Sequence, residues 1–364
     1  MPRLLLLHDR RADFQTSRAV ESLSRGFGGD FAVSSRTIGP AGDFANVPSA
    51  ALRLRRDARE VDVVHAWGFG PLAAIALASF RKIVFTPTTF PTRGQVGWLR
   101  AAMNYRDVHV VCPIATMHRR LVERGVPLER CHLIRPGVDF GRVNRQRRDP
   151  GLRAALGFSD NEHVVLAVGE STREAEHRQA VWAGAILNVL DKRTRVLLWG
   201  RGPMASAAQR FADKLGQPQL VTLAEQRLGR EIELEELLPA ADMLIVSATG
   251  PVATLPIATG MAAGVPIVAT VTPTVAELLE DRHTALMTQP GVPRLLSEKI
   301  LQLREDSQLQ WSLADVARTE AYEFFPLTRF LDQQRTLYQQ VAAGGQVELP
   351  EPAAGAGQRF PSRT

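Results

Sequence analysis

The chain has 364 residues, 45% of them hydrophobic and 23% charged, and a formal net charge of +6. That length exceeds one ordinary core and that composition is globular, so a disordered chain is excluded and two domains are expected. The two cysteines, Cys112 and Cys131, have no metal-type spacing and suit incidental thiols of a cytosolic protein.

The opening "MPRLLLLHDRR" has four leucines before His8 and Asp9, which reads as a strand and not as a signal peptide. Helix "SRAVESLSRGF", strand "DFAVSSRTI", helix "PSAALRLRRDAREV" and strand "DVVHAW" follow. Next come helix "GPLAAIALASF", strand "KIVFTP", a helix around "WLRAAMNYR", strand "DVHVVC", helix "TMHRRLVERG" and the strand and turn "CHLIRPGVD". Residues 141–151, "GRVNRQRRDPG", are Arg-rich and closed by Pro-Gly, so a linker is expected there. The second half repeats the scheme. Strands "HVVLAVG", "RVLLWG", "QLVTLAE", "DMLIVS" and "PIVAT" alternate with helical patterns, and "VPRLLSEKILQLRED" is a further helix. "EFFPLTRFLDQQRTLYQQVA" is the last amphipathic piece, and the Gly/Pro-rich remainder reads as disordered. Such alternation predicts parallel sheets with covering helices: an α/β chain of two Rossmann-like, doubly wound domains facing across a cleft, with ligands at the carboxyl ends of the strands.

Charge is uneven. Residues 1–150 carry 24 Lys/Arg against 13 Asp/Glu, or +11, and the rest 20 against 25, or −5, which sum to +6. A basic first half suits an anionic partner such as a lipid headgroup or a phosphorylated acceptor, and equally an Arg-biased surface, since four of the 44 cations are lysine. No RNA or DNA recognition motif accompanies it, so nucleic acid is not expected. "RGQVGWLRAAMNYR" mixes Trp98 and Tyr105 with Arg93, Arg100 and Arg106; it can face the core or rest on an anionic membrane.

Two stretches carry candidate chemistry. In "LLWGRGPMASA", Gly200, Gly202 and Ala205 have the spacing of a dinucleotide fingerprint, with Glu225 as the ribose-binding acid. Pro203 removes a backbone donor there, and the element follows the second strand of its domain instead of the first. From Met243 to Ala276 there are 34 residues without a charge, punctuated by Pro251, Pro256, Pro266 and Pro273. Those prolines break any membrane span.

In order and spacing, "VDVVHAWG", "HLIRPGVDFGRV", "LLWGRGP", "ELLPAADMLIVSA" and "GMAAGVPIVAT" resemble the motifs of the retaining GT-B glycosyltransferases of family 4, over about residues 1–343. The resemblance implies an acceptor-side domain at 1–145, a nucleotide-sugar donor domain at 152–320, a helix at 321–343 packing back across the domains, and a tail at 344–364. It implies transfer of a sugar from a nucleotide-diphosphate sugar to a carbohydrate or lipid-linked acceptor. No cofactor and no metal are expected, and the place is the cytoplasm, with contact at the inner face of the membrane. Arg173 and Arg178, in "GESTREAEHRQ" beginning at Gly169, would meet the diphosphate; Gly169, Gly200, Gly202, Ser247, Thr249 and Thr259 would line the donor side, and His65 would serve the acceptor side. The chain departs from the family at both glutamates, which fall on Pro251 and Thr259, at the Gly-Gly turn after the first strand, and at the second histidine, which is Trp67. A catalytically inactive relative acting as a binding or scaffold subunit is therefore the alternative.

Overall fold

The computed structural model describes residues 1–10, 12–39, 47–143, 148–169, 173–199, 202, 204–248 and 253–349. They form two compact units: Met1–Gly137 with the chain from Leu327 onward, and Val138–Pro326.

The first unit runs β1 (Arg3–Asp9), α1 (Phe14–Gly26), β2 (Ala32–Ile38), α2 (Val47–Leu54), β3 (Val63–Trp67), α3 (Phe69–Leu77), β4 (Lys82–Thr86), α4 (Arg93–Met103), β5 (Asp107–Cys112), α5 (Ala115–Glu123) and β6 (Cys131–Leu133). Its strands are parallel in the order β2-β1-β3-β4-β5-β6. Apolar strands such as β3 are buried on both faces, as helix-covered parallel strands must be. Helix starts are set locally: Asp13 accepts from the Thr16 amide at 2.9 Å, and Thr92 with Gln95 closes a capping box on α4.

The second unit runs α6 (Pro150–Leu156), β7 (His163–Ala167), α7 (His177–Leu190), β8 (Thr194–Leu198), α8 (Ala205–Lys214), β9 (Val221–Leu223), α9 (Ala224–Leu228), α10 (Leu234–Leu237), β10 (Met243–Val246), α11 (Thr254–Ala263), β11 (Ile267–Thr270), α12 (Val275–Leu278), β12 (Leu286–Thr288), α13 (Pro293–Glu305) and α14 (Ser307–Phe324). The order is β12-β11-β10-β7-β8-β9, again parallel.

The last amphipathic piece is two helices. Pro326 interrupts it, α14 ends at Phe324, and α15 (Leu327–Ala343) belongs to the first unit, where Phe330, Leu337, Tyr338 and Val341 join Leu4, Leu6, Phe27 and Phe31 in one cluster. Gly137, in the "RPGVD" turn, permits this return: a Cβ there would stand 2.6 Å from the Leu327 Cα. The described start of the expected tail is also placed. Val347 and Leu349 pack on the same cluster, and Gln340 exchanges two hydrogen bonds with Glu348. The remainder of that tail lies outside the described residues, as do 144–147 of the expected linker.

One buried ion pair organises the second unit. Arg153 of α6 donates to Asp242 Oδ2 at 3.0 Å and to the carbonyls of Ala240 and Glu162 at 2.9 and 2.6 Å. The same Asp242 oxygen accepts from the Val164 amide at 2.8 Å, so one carboxylate joins α6, β7 and the start of β10. Replacing Arg153 by leucine leaves that carboxylate, among the described residues, with only the more distant Arg148, at 4.0 Å, as an arginine partner, and urea unfolding should show a loss of about 3 kcal/mol confined to the transition of this unit.

Candidate functional site

In the second unit the chain leaves β7 toward β8 and β9 on one side and toward β10, β11 and β12 on the other, so strand order reverses between β7 and β10. Open α/β sheets take ligands at the carboxyl end of that reversal. Gly169 and Ser247 stand there. Gly169 has φ +118, and a Cβ on it would lie 3.4 Å from the Ala175 Cβ. Buried Ser247 donates from Oγ to the Ala175 carbonyl at 2.7 Å, and Thr272 donates to the Ala248 carbonyl at 2.9 Å. The short helical turn Arg173–Ala175 is thereby held onto the end of the sheet, with Arg173 exposed.

The other predicted donor-side residues part company. Arg178, on α7, is exposed and its guanidinium lies 4.4 Å from the centroid of the Phe211 ring of α8, a cation–π contact that occupies its face. Thr259 sits in the middle of α11, all ten of whose residues are buried, and its hydroxyl donates to the Leu255 carbonyl at 2.8 Å. Its hydroxyl proton is thus engaged inside the helix, which leaves it only as an acceptor toward a ribose. Gly202 precedes α8 in a bend. Gly200, Thr249 and Pro251 lie outside the described residues. Glu225, cast as the acid of a dinucleotide fold, is in the first turn of α9 and not at the end of a strand, because β9 stops at Leu223.

His65 also changes role. It is fully buried on β3, stacked on Trp67 with ring centroids 3.7 Å apart. Its Nδ1 is 2.5 Å from the Tyr338 hydroxyl of α15 and its Nε2 is 2.8 Å from Thr86 Oγ1. Burial holds the imidazole pKa well below its ordinary value and the Tyr338 phenol well above its own. A neutral ring with both nitrogens occupied is a core residue, so the expected acceptor-side histidine is corrected to a structural one.

Sequence reasoning missed Asp9. In the first unit the order reverses between β1 and β3, and Asp9 ends β1 at that point. Its oxygens face the N-terminal turn of α3 across two glycines: a Cβ on Gly68 would meet Oδ2 at 3.6 Å, and one on Gly70 would meet Oδ1 at 3.7 Å. Burial first, and then the charge of Asp13, raise its pKa to about 6. A partly buried carboxyl of that strength at a switch point can accept a hydrogen bond or a proton from a hydroxyl near neutral pH. The signal available in sequence was an acid closing an apolar strand; its glycine neighbours come from β3's far end.

Residues 16–142 match the family described as Glycosyltransferase Family 4, and residues 162–306 the family described as Glycosyl transferases group 1. N-acetyl-alpha-D-glucosaminyl L-malate synthase of Bacillus anthracis is 24% identical over 200 residues, which are 55% of this chain and 51% of that protein. The chain thus spans about half the length of the curated relative it matches. HepE of Anabaena, solved with UDP and glucose, shares the fold with a TM-score of 0.75 and 17% identity, over 94% of this chain and 99% of that one. Sucrose-phosphate synthase from Thermosynechococcus elongatus does so with a TM-score of 0.77 and 16% identity, over 94% and 100%.

Burial lowers the pKa of four histidines from 6.5: His65 well below it, His132 to about 3, and His163 and His177 to about 4. Unfolded histidines bind protons near pH 6.5 that these native rings refuse, so stability is full above that pH and declines as pH falls toward the depressed values. His65→Gln should flatten that decline by about 0.7 kcal/mol per pH unit at the unfolded pKa, rising to about 1.4 from a pH unit below it, read by urea unfolding across a pH series. An unchanged slope would mean the native ring already titrates.

Proposed function

The chain belongs to the GT-B glycosyltransferases, and on that premise we propose that it moves a sugar from a nucleotide-diphosphate sugar to a hydroxyl of a carbohydrate or lipid-linked acceptor, with retention and without a bound metal or other cofactor. The observation that carries the reading is Arg173, exposed beside the clamp of Gly169, Ser247 and Ala175 at the switch point of the second unit. Positive charge held on a fixed turn is what stabilises a departing diphosphate. Arg178 would add a second cation only by leaving the Phe211 face, so its share is smaller.

In the proposed transfer the bond between the anomeric carbon and the β-phosphate oxygen breaks, and the acceptor oxygen bonds to that carbon on the same face. The acceptor proton goes to the leaving phosphate, so no protein base is required. Asp9 would hold the acceptor by accepting from a second, non-reacting hydroxyl, which leaves the reacting proton to the phosphate. The residues standing where the family has glutamates, Pro251 and Thr259, carry no charge, and each missing charged hydrogen bond costs about 1.5–3 kcal/mol of donor binding. A weak but real donor affinity is therefore expected, resting on the diphosphate.

Melting temperature measured with UDP-, GDP- and ADP-glucose tests this. One nucleotide should raise it, Arg173→Ala should weaken that nucleotide's affinity about 10- to 150-fold, and Arg178→Ala should do so less. No rise with any nucleotide sugar sinks the transfer reading in favour of a binding subunit, and a rise with NAD alone restores the dinucleotide one.

A further inference from the structure

Of the four histidines that burial keeps neutral, one opens α7 at the carboxyl end of β7. His177 is the first residue of that helix and is 4% exposed. Burial is the larger influence on its ring, lowering the pKa to about 4, and hydrogen bonds to the backbone carbonyls of Gly169 and Val168 act in the opposite direction. A neutral imidazole has one N–H to donate, and this one gives it to the carbonyls that follow β7.

Those carbonyls and His177 are the two ends of one segment. The chain leaves β7 through Val168 and Gly169, passes the exposed Arg173, and enters α7 at His177. The ring therefore closes the segment at its neck. Ala175 is gripped as well, by the Ser247 hydroxyl on its carbonyl at 2.7 Å and by the close approach to Gly169. Between Ala175 and His177 stands Glu176 with φ 53 and ψ 32, the left-handed region that a residue with a side chain enters only at a cost in free energy. Such a conformation persists where the surrounding contacts over-determine it, and here they grip the residues on either side. Within the first turn of α7, the Gln179 side chain accepts from the Gly291 amide at 3.0 Å, which anchors the helix start from outside.

We propose that His177 is a positioning residue for diphosphate binding, closing the neck of the segment so that the turn carrying Arg173 is held where a phosphate is met. Its ligand rests on the transfer reading above, and its residue on these contacts. Arg173 is exposed, so the backbone beneath it decides where its charge stands, and a displaced guanidinium loses its paired hydrogen bonds to a phosphate. A side chain that only filled this space would not need a polar ring, whose burial costs free energy that a leucine avoids.

Calorimetric titration of the full chain with UDP, GDP and ADP, each against its own nucleoside, tests this. The ratio of the two dissociation constants reads the share of binding that the diphosphate supplies. His177→Leu should lower that ratio about 2- to 10-fold for the nucleotide that the wild type prefers. In an Arg173→Ala background the same change should leave the ratio within about twofold, because the turn then has no charge to place. His177→Asn and His177→Gln set an amide N–H near the sites of the two different ring nitrogens. One should keep the wild-type ratio and the other should lose it, a contrast that stands even where His177→Leu does not fold. A histidine that serves stability alone would lower the melting temperature with the ratio unmoved, or lower the ratio equally with and without Arg173. Either result, or equal ratios for the two amide variants, overturns the proposal. Should the wild type bind no nucleoside diphosphate more tightly than its nucleoside, the transfer reading falls and takes this inference with it. A ratio that depends on Arg173 but not on His177 removes the inference alone.

Discussion

An ionised group inside a dry protein layer must bring its partner with it, and in the second unit the pair of Arg153 and Asp242 shows this. Asp242 enters with Arg153, and beyond it β10, α11 and β11 are buried along their whole described length. None of the 34 residues that follow Asp242 carries a charge, and most of the described ones are interior. Among the described residues there, hydroxyls close on nearby carbonyls, Thr259 on Leu255, Ser247 on Ala175 and Thr272 on Ala248, whereas the buried Thr270 hydroxyl has no partner. Two of those bonds fix the carboxyl end of the sheet. The charged part of any ligand must consequently be met by a different segment, and Arg173 belongs to one.

The first unit solves the same problem differently at its own switch point. His65 is taken into the core, neutral, between Tyr338 and Thr86, and α15 is locked onto the sheet by that contact. Asp9, four strand positions' worth of leucine away from the chain start, stays at the rim with a pKa near 6. Burial acts on both groups, pushing an imidazole down and a carboxyl up. The carboxyl that Asp9 places at this rim accepts hydrogen bonds, which fits a hydroxyl better than an anion.

Much of the fold was legible because parallel strands buried on both faces must be nearly continuous apolar runs, as in β3, β10 and β11. The candidate site was less so. Which way a side chain turns depends on what stands across from it: Arg178 found the Phe211 ring on another helix, and His65 found a tyrosine 273 positions along the chain. The end of β9 at Leu223, two residues before Glu225 could close a strand, is likewise a matter of pairing with β8. Pro326 was visible, yet a period of 3.6 on both sides of it disguised two helices that belong to different units as one.

Net charge shows the same limit from the other direction. The surplus of +11 in residues 1–150 invites a phosphate-binding reading of the whole half. At the first unit's switch point, however, the charge that stands is an aspartate, whereas exposed arginines gather on the outer side of α4 and α5. Charge on that helix layer acts over a Debye length of about 8–10 Å and does not by itself make the switch point a phosphate site. The arginine surplus of the first unit and the exposed Arg173 of the second thus stand on separate segments, so net charge by half does not say where a site lies.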